Sequence, residues 1–424
     1  MTHPAGRLLT RIDRAAGGLA ADFLLYALSA AFALVTALSS TLLPHRAWGS
    51  IAVWAYLAAA VLVAVQFAGS RRAVLPAYAG TSARAALTWL TWAAACLLPL
   101  LVEAAQRAAG RTDRAQDEVL VVEQMGERLL YSGTPYLGRD AILALPPDQR
   151  LDAYRPYQPG MAIFGLPRAI FGDFWWTDAR VWFAVVTAAA LIGAVAIMPR
   201  SSVRVRAIQV ATVFPICALT LATGGDDLPV LALCLLALAL AGGGRFGWSG
   251  VAVGAAAAAK LFAFPVVAVL VALAVARARG PRLAVGAIGL PVLVLIPPLL
   301  VNADGFVENV FRFPFGHGVV RSPAQSPFPG YLIAQHLPGG RFIAAALLVA
   351  VAAAIGVRLL RNPPRTATDA ALLCGWGLLA AILLMPTTRF GYLLYPAAFL
   401  VWAPALSSRT AASAPQNNPA LYRE

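Results

Sequence analysis

The sequence predicts an all-α polytopic membrane protein with about 11–12 transmembrane helices and two large extracytoplasmic loops. Three observations lead there. Of the 424 residues, 60% are hydrophobic and 12% are charged, whereas an ordinary soluble domain is roughly 45–50% apolar and about 25% charged. The mean hydropathy is +0.73. The apolar residues also fall in runs of about 20, the length a helix needs to cross the hydrocarbon core. A soluble globular protein, a disordered chain and a disulfide scaffold are thereby excluded. Cys96, Cys217, Cys234 and Cys374 all fall inside apolar runs with no C-x-x-C spacing, and read as small core residues.

In chain order the spans are 21–43, 49–69, 85–105, 179–198, 205–223, 228–242, 283–301, 342–358, 369–386 and 391–406. The run 247–279 is too long for one span and contains Gly247, Gly250, Gly254, Lys260 and Pro265. It is expected to form two helices, 247–261 and 264–279, as a hairpin or a broken pair, and breaks at membrane depth line cavities rather than face lipid. The first apolar run is too long for a signal-peptide core and no small-residue cleavage site stands out, so no cleavable leader is expected.

Orientation follows from the 32 arginines; Lys260 is the only lysine. Arg7, Arg11 and Arg14 precede the first span, and Arg71, Arg72 and Arg84 follow the second. Arg200, Arg204, Arg206, Arg245, Arg277, Arg279, Arg282, Arg358, Arg361 and Arg365 fall in alternate short loops. Placing all of these in the cytoplasm, with Arg409 and Arg423 of the tail, puts 18 arginines and 4 acids inside, against 14 arginines and 15 acids outside. The net charge of +14 is then a consequence of topology, and no nucleic-acid partner is needed to explain it. The domain plan is a cytoplasmic N-terminus at 1–20, a multi-span domain at 21–406 and a polar, disordered cytoplasmic tail at 407–424, in the plasma membrane. Loops 106–178 and 302–340 lie outside and are too long to be simple connectors. The stretch 160–167 is expected in the interface, and Trp175 and Trp176 at the outer boundary of the fourth span.

Six stretches carry candidate chemistry. Asp117 and Glu118 open a short amphipathic helix, where the free N–H groups and the dipole favour anions. Leu120, Val121, Met125, Leu129 and Leu130 are expected on its apolar side, and Gly133 and Pro135 end it. Either acid is a solvated cap or a general base at the membrane surface. Tyr154, Arg155 and Tyr157 precede a proline turn and suit sugar or phosphate contact, or an aromatic belt. Asp226 and Asp227, beside Gly224 and Gly225, suit a helix cap, sugar hydroxyls or a divalent cation. Lys260 is a cation in an apolar stretch, costly there and so a site candidate, unless it snorkels. The loop 313–331, rich in Pro, Gly and Ser, offers His317 and Arg321 as phosphate or sugar ligands. Arg389, in Pro386-Thr-Thr-Arg-Phe-Gly-Tyr392, is placed to hold a phosphate. No P-loop, dinucleotide fingerprint, zinc spacing or nucleophile elbow is present, which disfavours a soluble nucleotide-sugar enzyme.

An acid, a short helix, then Leu129-Leu-x-x-Gly133-x-x-Tyr136 with Pro135 before the tyrosine resembles the first large exterior loop of polyprenyl-phosphate-sugar-dependent glycosyltransferases of the GT-C superfamily. The likeness is greatest to the bacterial, actinobacterial family of polyprenyl-phosphate-mannose-dependent α-1,2-mannosyltransferases. That family's pattern is Asp-Leu-x-Val-Tyr, a short helix, then Gly-x-x-Pro-Tyr. Aligned on Gly133–Tyr136, the Asp proposed as base falls at Glu118, with Asp117 beside it; Val122 stands where the family has Tyr, and two extra N-terminal spans precede the loop. Tyr154–Gly160 resembles the family's Tyr-x-Pro-Pro element. Gly250, Gly254, Lys260 and Pro265 resemble its Gly-x-x-x-Gly-x-Ala-x-x-x-Lys-x-x-Pro element, with the proline two residues late, and Ser322–Gly330 its Ser-Pro-rich segment.

The resemblance implies a GT-C-like fold and an inverting transfer of a sugar, mannose above others, from a polyprenyl-phosphate donor to a lipid-linked or envelope glycan at the outer face. In that scheme Glu118 or Asp117 is the base. Tyr136, Tyr154, Arg155, Tyr157, Asp226, Asp227, Lys260, His317, Arg321 and Arg389 contact substrate. No cofactor is required, and room is left for a divalent cation. Membrane lipids are the other partners. The rival reading is a transporter or flippase of a lipid-linked glycan, which would also want an intramembrane charge and a broken helix pair; no convincing internal repeat favours it.

Overall fold

The computed structural model describes residues 15–71 and 80–407. Arg7, Arg11, Arg14, Arg72 and the tail 408–424 lie outside the described residues. The protein is an all-α polytopic membrane protein: among the described residues eight helices are long and apolar enough to cross a bilayer, and four shorter apolar segments (Asp227–Gly242, Phe246–Ala259, Leu261–Ala276 and Phe390–Leu406) accompany them. Among the described residues extended pairing is limited to one isolated bridge, Gln325 with Thr388.

The first three spans are α1 (Leu19–Ser39), α2 (Leu43–Arg71) and α3 (Thr81–Ala108). The loop 109–178 folds into α4 (Asp117–Ser132), α5 (Arg139–Ala144), a 3-10 segment at Pro159–Gly165 and α6 (Leu166–Phe171). Then come α7 (Ala179–Ile197), α8 (Ser202–Ala211), α9 (Pro215–Thr223), α10 (Asp227–Gly242), α11 (Phe246–Ala259), α12 (Phe264–Ala276) and α13 (Gly280–Val307). The chain closes with α14 (Pro329–His336), α15 (Gly340–Arg361), α16 (Ala367–Leu384) and α17 (Leu394–Trp402).

Prolines set the irregularities, and neighbouring side chains repair the hydrogen bonds they free. Pro99 has no N–H for the carbonyl four residues back, and α3 relaxes into a π turn at Ala93–Leu97. Trp48 Nε1–H of α2 donates to the orphaned Ala95 carbonyl at 2.8 Å. The predicted single span 205–223 is instead two helices, because Pro215 cannot continue α8. In the break Tyr56 donates to the Val213 carbonyl at 2.8 Å. Such repairs are what a non-helical turn needs where water is absent. The predicted break near Lys260 is present: Lys260 is extended (φ −152°, ψ 140°) between α11 and a 3-10 turn at Leu261–Ala263.

The expected loop 302–340 begins as helix. Asn302 is the non-helical residue inside α13. Its Oδ1 accepts the Gly305 N–H at 2.8 Å, which starts a second helical stretch running through a π turn at Glu308–Arg312. An Asn that caps a new turn on a kinked, proline-rich helix looks in sequence like a loop residue. Small residues let helices approach closely. A Cβ at Gly250 would overlap the Leu283 carbonyl, and one at Gly254 the Gly286 carbonyl, so α11 and α13 pack with backbones in contact.

Helix ends sort into two groups. At one end Asp22 of α1 takes Arg84 of α3 at 2.6 Å and Arg206 of α8 at 2.5 Å, and Gln209 Nε2–H donates to it at 2.9 Å. The end of α12 meets the segment before α16, where Arg277 Nε–H donates to the Arg365 carbonyl. At the other end the close of α9 and the starts of α4 and α10 meet. Arg84 and Arg206, which the arginine bias places on one side, thus meet at one end of the bundle.

Candidate functional site

Helix α4 begins with Asp117 and Glu118 in its first turn and stops at Gly133, whose φ of 69° is the left-handed cap a glycine supplies at little steric cost. The sequence predicts these bounds. The buried face is rotated from the expected one: Val119, Val122, Glu123, Met125 and Gly126 are inside, while Leu120 and Leu130 are exposed. Gly126 explains the rotation. Its backbone lies against Gly165, so closely that a Cβ on either would overlap the other segment. The segment expected in the interface, 160–167, is therefore largely enclosed by protein: Gly160, Met161, Ala162 and Gly165 are buried. Trp175 is half exposed beside the start of α7.

Lys260 and the two adjacent acids come together. Its Nζ lies 2.6 Å from Asp226 Oδ2 and 2.6 Å from Asp227 Oδ1, and Tyr395 OH of α17 donates to the same Asp227 oxygen at 2.8 Å. All three charged side chains are buried. The ammonium also faces the rings of Tyr157 at 5.1 Å and Tyr392 at 5.6 Å, within cation–π range. Phe262 stacks on Tyr395 behind it. One lysine between two carboxylates leaves the group a net negative charge. Asp226 and Asp227 thus already have a cation; among the described residues no group of three or more His, Cys, Asp or Glu side chains gathers in the way a metal ion needs.

Glu118 forms an ion pair with Arg389. Tyr157 and Tyr392 stand within electrostatic reach of both this pair and the Asp226–Asp227–Lys260 group, so the two charge groups share one aromatic wall. Burial opposes the Arg389 charge, but Glu118 and the Tyr392 phenol raise its pKa above the ordinary value. Asp117 is exposed; partial burial and the carboxylates of Glu118 and Asp152 raise its pKa. Behind them, the Gln116 N–H donates to the Thr223 carbonyl at 2.9 Å and its Oε1 accepts from Thr223 Oγ1–H at 3.0 Å. His45, from the second span, faces Gln116 and Glu118; nothing in its local sequence marks it.

The remaining candidates are elsewhere. Tyr136 is buried and donates to the Tyr157 carbonyl at 2.7 Å, a brace under the aromatic wall. Tyr154 donates to Glu308 Oε1 at 2.6 Å, accepts from Val319 N–H at 2.7 Å and stacks on Phe313. Burial and Glu308 push its phenol up to about 12. The Arg155 N–H donates to Asn309 Oδ1 at 2.7 Å and its guanidinium to Gln124; burial, with Arg128, brings it down to about 10, still cationic at neutral pH. Both residues tie the first loop to the π turn after α13. His317 and Arg321 are exposed, with no side-chain hydrogen bond among the described residues. Their loop reaches the Arg389 segment through backbone bonds from Ser326 to Thr388 and from Thr388 to Ala324.

A buried charge network holds α4 in place, and the sequence reading singles out none of it. Arg107 of α3 grips Glu123 of α4 at 2.5 Å and Asp178 at 3.1 Å. Arg180 of α7 contacts Asp178 at 2.8 Å and Glu103 of α3 at 3.3 Å. Arg168 adds a contact to Glu123 at 3.3 Å. Burial alone would raise the Asp178 pKa, but Arg180 and Arg107 hold it well below the usual carboxylate range. Acids and arginines at the ends of apolar runs were the available signal; their mutual contacts span up to 77 residues of chain.

A family model described as glycosyltransferase family 87 matches residues 156–386, more than half of the chain, and the chain belongs to that family. Comparison with curated proteins and with solved structures gives no match. The matched segment includes Tyr157, Asp226, Asp227, Lys260, His317 and Arg321, and leaves out Asp117, Glu118 and Arg389, which the fold brings to it.

Proposed function

We propose that this family 87 glycosyltransferase transfers a sugar, mannose by its resemblance, from a polyprenyl-phosphate donor to a hydroxyl of a lipid-linked or envelope glycan. The reaction runs with inversion at the extracytoplasmic face of the plasma membrane. The observation that carries the reading is the Glu118–Arg389 pair: a carboxylate and a guanidinium in contact, beside a buried lysine and an aromatic wall.

The geometry suits a single displacement. In the resting pair the Arg389 guanidinium occupies the Glu118 carboxylate. A donor phosphate draws the guanidinium toward itself, since planar guanidinium recognises phosphate oxygens in bidentate fashion. The freed Glu118 carboxylate then takes the proton of the acceptor hydroxyl. The acceptor oxygen bonds to the anomeric carbon as the bond to the phosphate oxygen breaks, and the lipid phosphate leaves with the electron pair, its new charge met by Arg389. Asp117, one residue away with a raised pKa, is the alternative base. Asp226 and Asp227 accept from sugar hydroxyls while Lys260 orients them. Tyr157 and Tyr392 offer ring faces to the sugar.

The test is purified full-length protein with radiolabelled polyprenyl-phosphate-mannose and a glycan acceptor. Glu118→Gln is expected to lower transfer by 100-fold or more, on the order of general base catalysis, with Asp117→Asn affecting it far less. Full transfer by both variants, folded as the wild type, would refute the base. Movement of intact lipid-linked sugar across vesicles with no new glycosidic bond would favour a transporter.

A further inference from the structure

At the end of the bundle opposite Glu118 and Lys260, where α7 ends and α8 begins, lies a cavity of about 590 Å³, within the range of small-ligand sites. Its walls are of two kinds. Trp89 of α3 and Ile192, Val195 and Ala196 of α7 make an apolar side, and Arg200 and Arg204 make a cationic one. Neither arginine has a carboxylate partner among the described residues. At the same end of the bundle Asp22 is already taken by Arg84 and Arg206, with a surplus of positive charge. Arg204 is held in place from one side only: its Nη1 donates to the Val195 and Met198 carbonyls at 3.4 and 3.3 Å, at the close of α7. Arg204 lines the cavity, and its Nε and Nη2 donors have no acceptor among the described residues. Ile192 is more than half exposed, so the apolar wall opens outward to where acyl chains pack in a spanning helix bundle.

We propose that this cavity binds the phosphate headgroup of an anionic membrane phospholipid, with an acyl chain against Trp89 and Ile192. Two unneutralised guanidiniums beside an apolar wall match that chemistry: the phosphodiester takes the forked N–H donors and the chain covers apolar surface. Free phosphate would satisfy the arginines and leave the wall bare. The arginine bias puts this end in the cytoplasmic leaflet, whose anionic lipids already attract basic side chains. The inference does not depend on which sugar is transferred, or on the identity of the base.

The experiment is native mass spectrometry of the full chain released from detergent with added phosphatidylglycerol, phosphatidylcholine or inorganic phosphate. The wild type is expected to retain phosphatidylglycerol over phosphatidylcholine by about tenfold. Arg200→Gln combined with Arg204→Gln is expected to abolish that preference, and Ala196→Phe, which fills the cavity and keeps both arginines, to weaken it at least several-fold. Arg358→Gln, another arginine of the same predicted side, is expected to leave it unchanged. Equal retention of both lipids, an unaltered preference in Ala196→Phe, or an equal loss in Arg358→Gln would overturn the proposal, and so would displacement of the lipid by inorganic phosphate. Thermal midpoints of each variant show that it is folded.

Discussion

Replacing Lys260 with methionine tests the central charge group most directly. The side chain keeps its length and apolar stem but loses the ammonium that both Asp226 and Asp227 contact at 2.6 Å. At an effective dielectric of about 20, each attraction across ~4 Å between charge centres is worth about 4 kcal/mol, and two carboxylates ~5 Å apart repel by about 3 kcal/mol. Two attractions are lost and one repulsion is left uncompensated. Tyr395 OH and solvent rearrangement recover part, which brings the expected cost near the ~3–5 kcal/mol typical of removing one partner from a buried pair. Lys260→Met combined with Asp226→Asn and Asp227→Asn removes the repulsion and should recover more than half of the loss. The assay is thermal unfolding of detergent-solubilised protein followed by size-exclusion chromatography. If Lys260→Met is as stable as the wild type, or if the triple variant is no better than the single one, the charge balance drawn here is wrong.

Three further outcomes are expected. Gly254→Ala should destabilise the protein by about 1–3 kcal/mol, since its methyl overlaps the Gly286 carbonyl. Gly289→Ala, with open space around its Cβ, should be neutral or stabilising by up to about 1 kcal/mol in helix propensity; thermal midpoints separate the two. Tyr154→Phe should cost about 1.5–3 kcal/mol through its charged hydrogen bond to Glu308, and an unchanged midpoint would deny that the bond matters. Asp178, with its pKa depressed mainly by Arg180 against the effect of burial, contributes stability that is complete above the free carboxyl value of about 4 and is lost as pH falls toward its folded value. The stability gap between wild type and Asp178→Asn should therefore shrink below about pH 4; a gap constant with pH would contradict the assignment.

Hydropathy made the spans legible because a bilayer imposes one length on every crossing helix. It also made the Lys260 break legible, since glycines, a proline and a charge coincide there. The break between α8 and α9 was harder to see: Pro215 stands in the middle of a run long enough for one span, and the groups that make the turn tolerable, Tyr56 above all, come from another span. The same limit applies to the site. Asp226, Asp227 and Lys260 each stood out, but their contact with one another is a fact of packing across more than thirty residues of chain. Tyr154 and Arg155 looked like substrate ligands because aromatic and basic residues near a membrane serve recognition and bracing alike. Their contacts with Glu308 and Asn309, more than 150 residues away in the chain, are visible only once the fold is known. The rotated face of α4 turned on Gly126, whose missing side chain carries no hydrophobic signal.

The order in which partners lie along the chain has a consequence for biogenesis. Glu118 waits for Arg389, Asp227 for Tyr395, and the carbonyl of Ala207 for the indole of Trp402 at 2.7 Å. During synthesis the first loop and the early spans leave the ribosome long before these contacts exist. The last apolar segment, with Arg389 before it, therefore acts as a clasp, and a nascent chain released before it carries its acids and its lysine into the membrane with the pocket still unassembled.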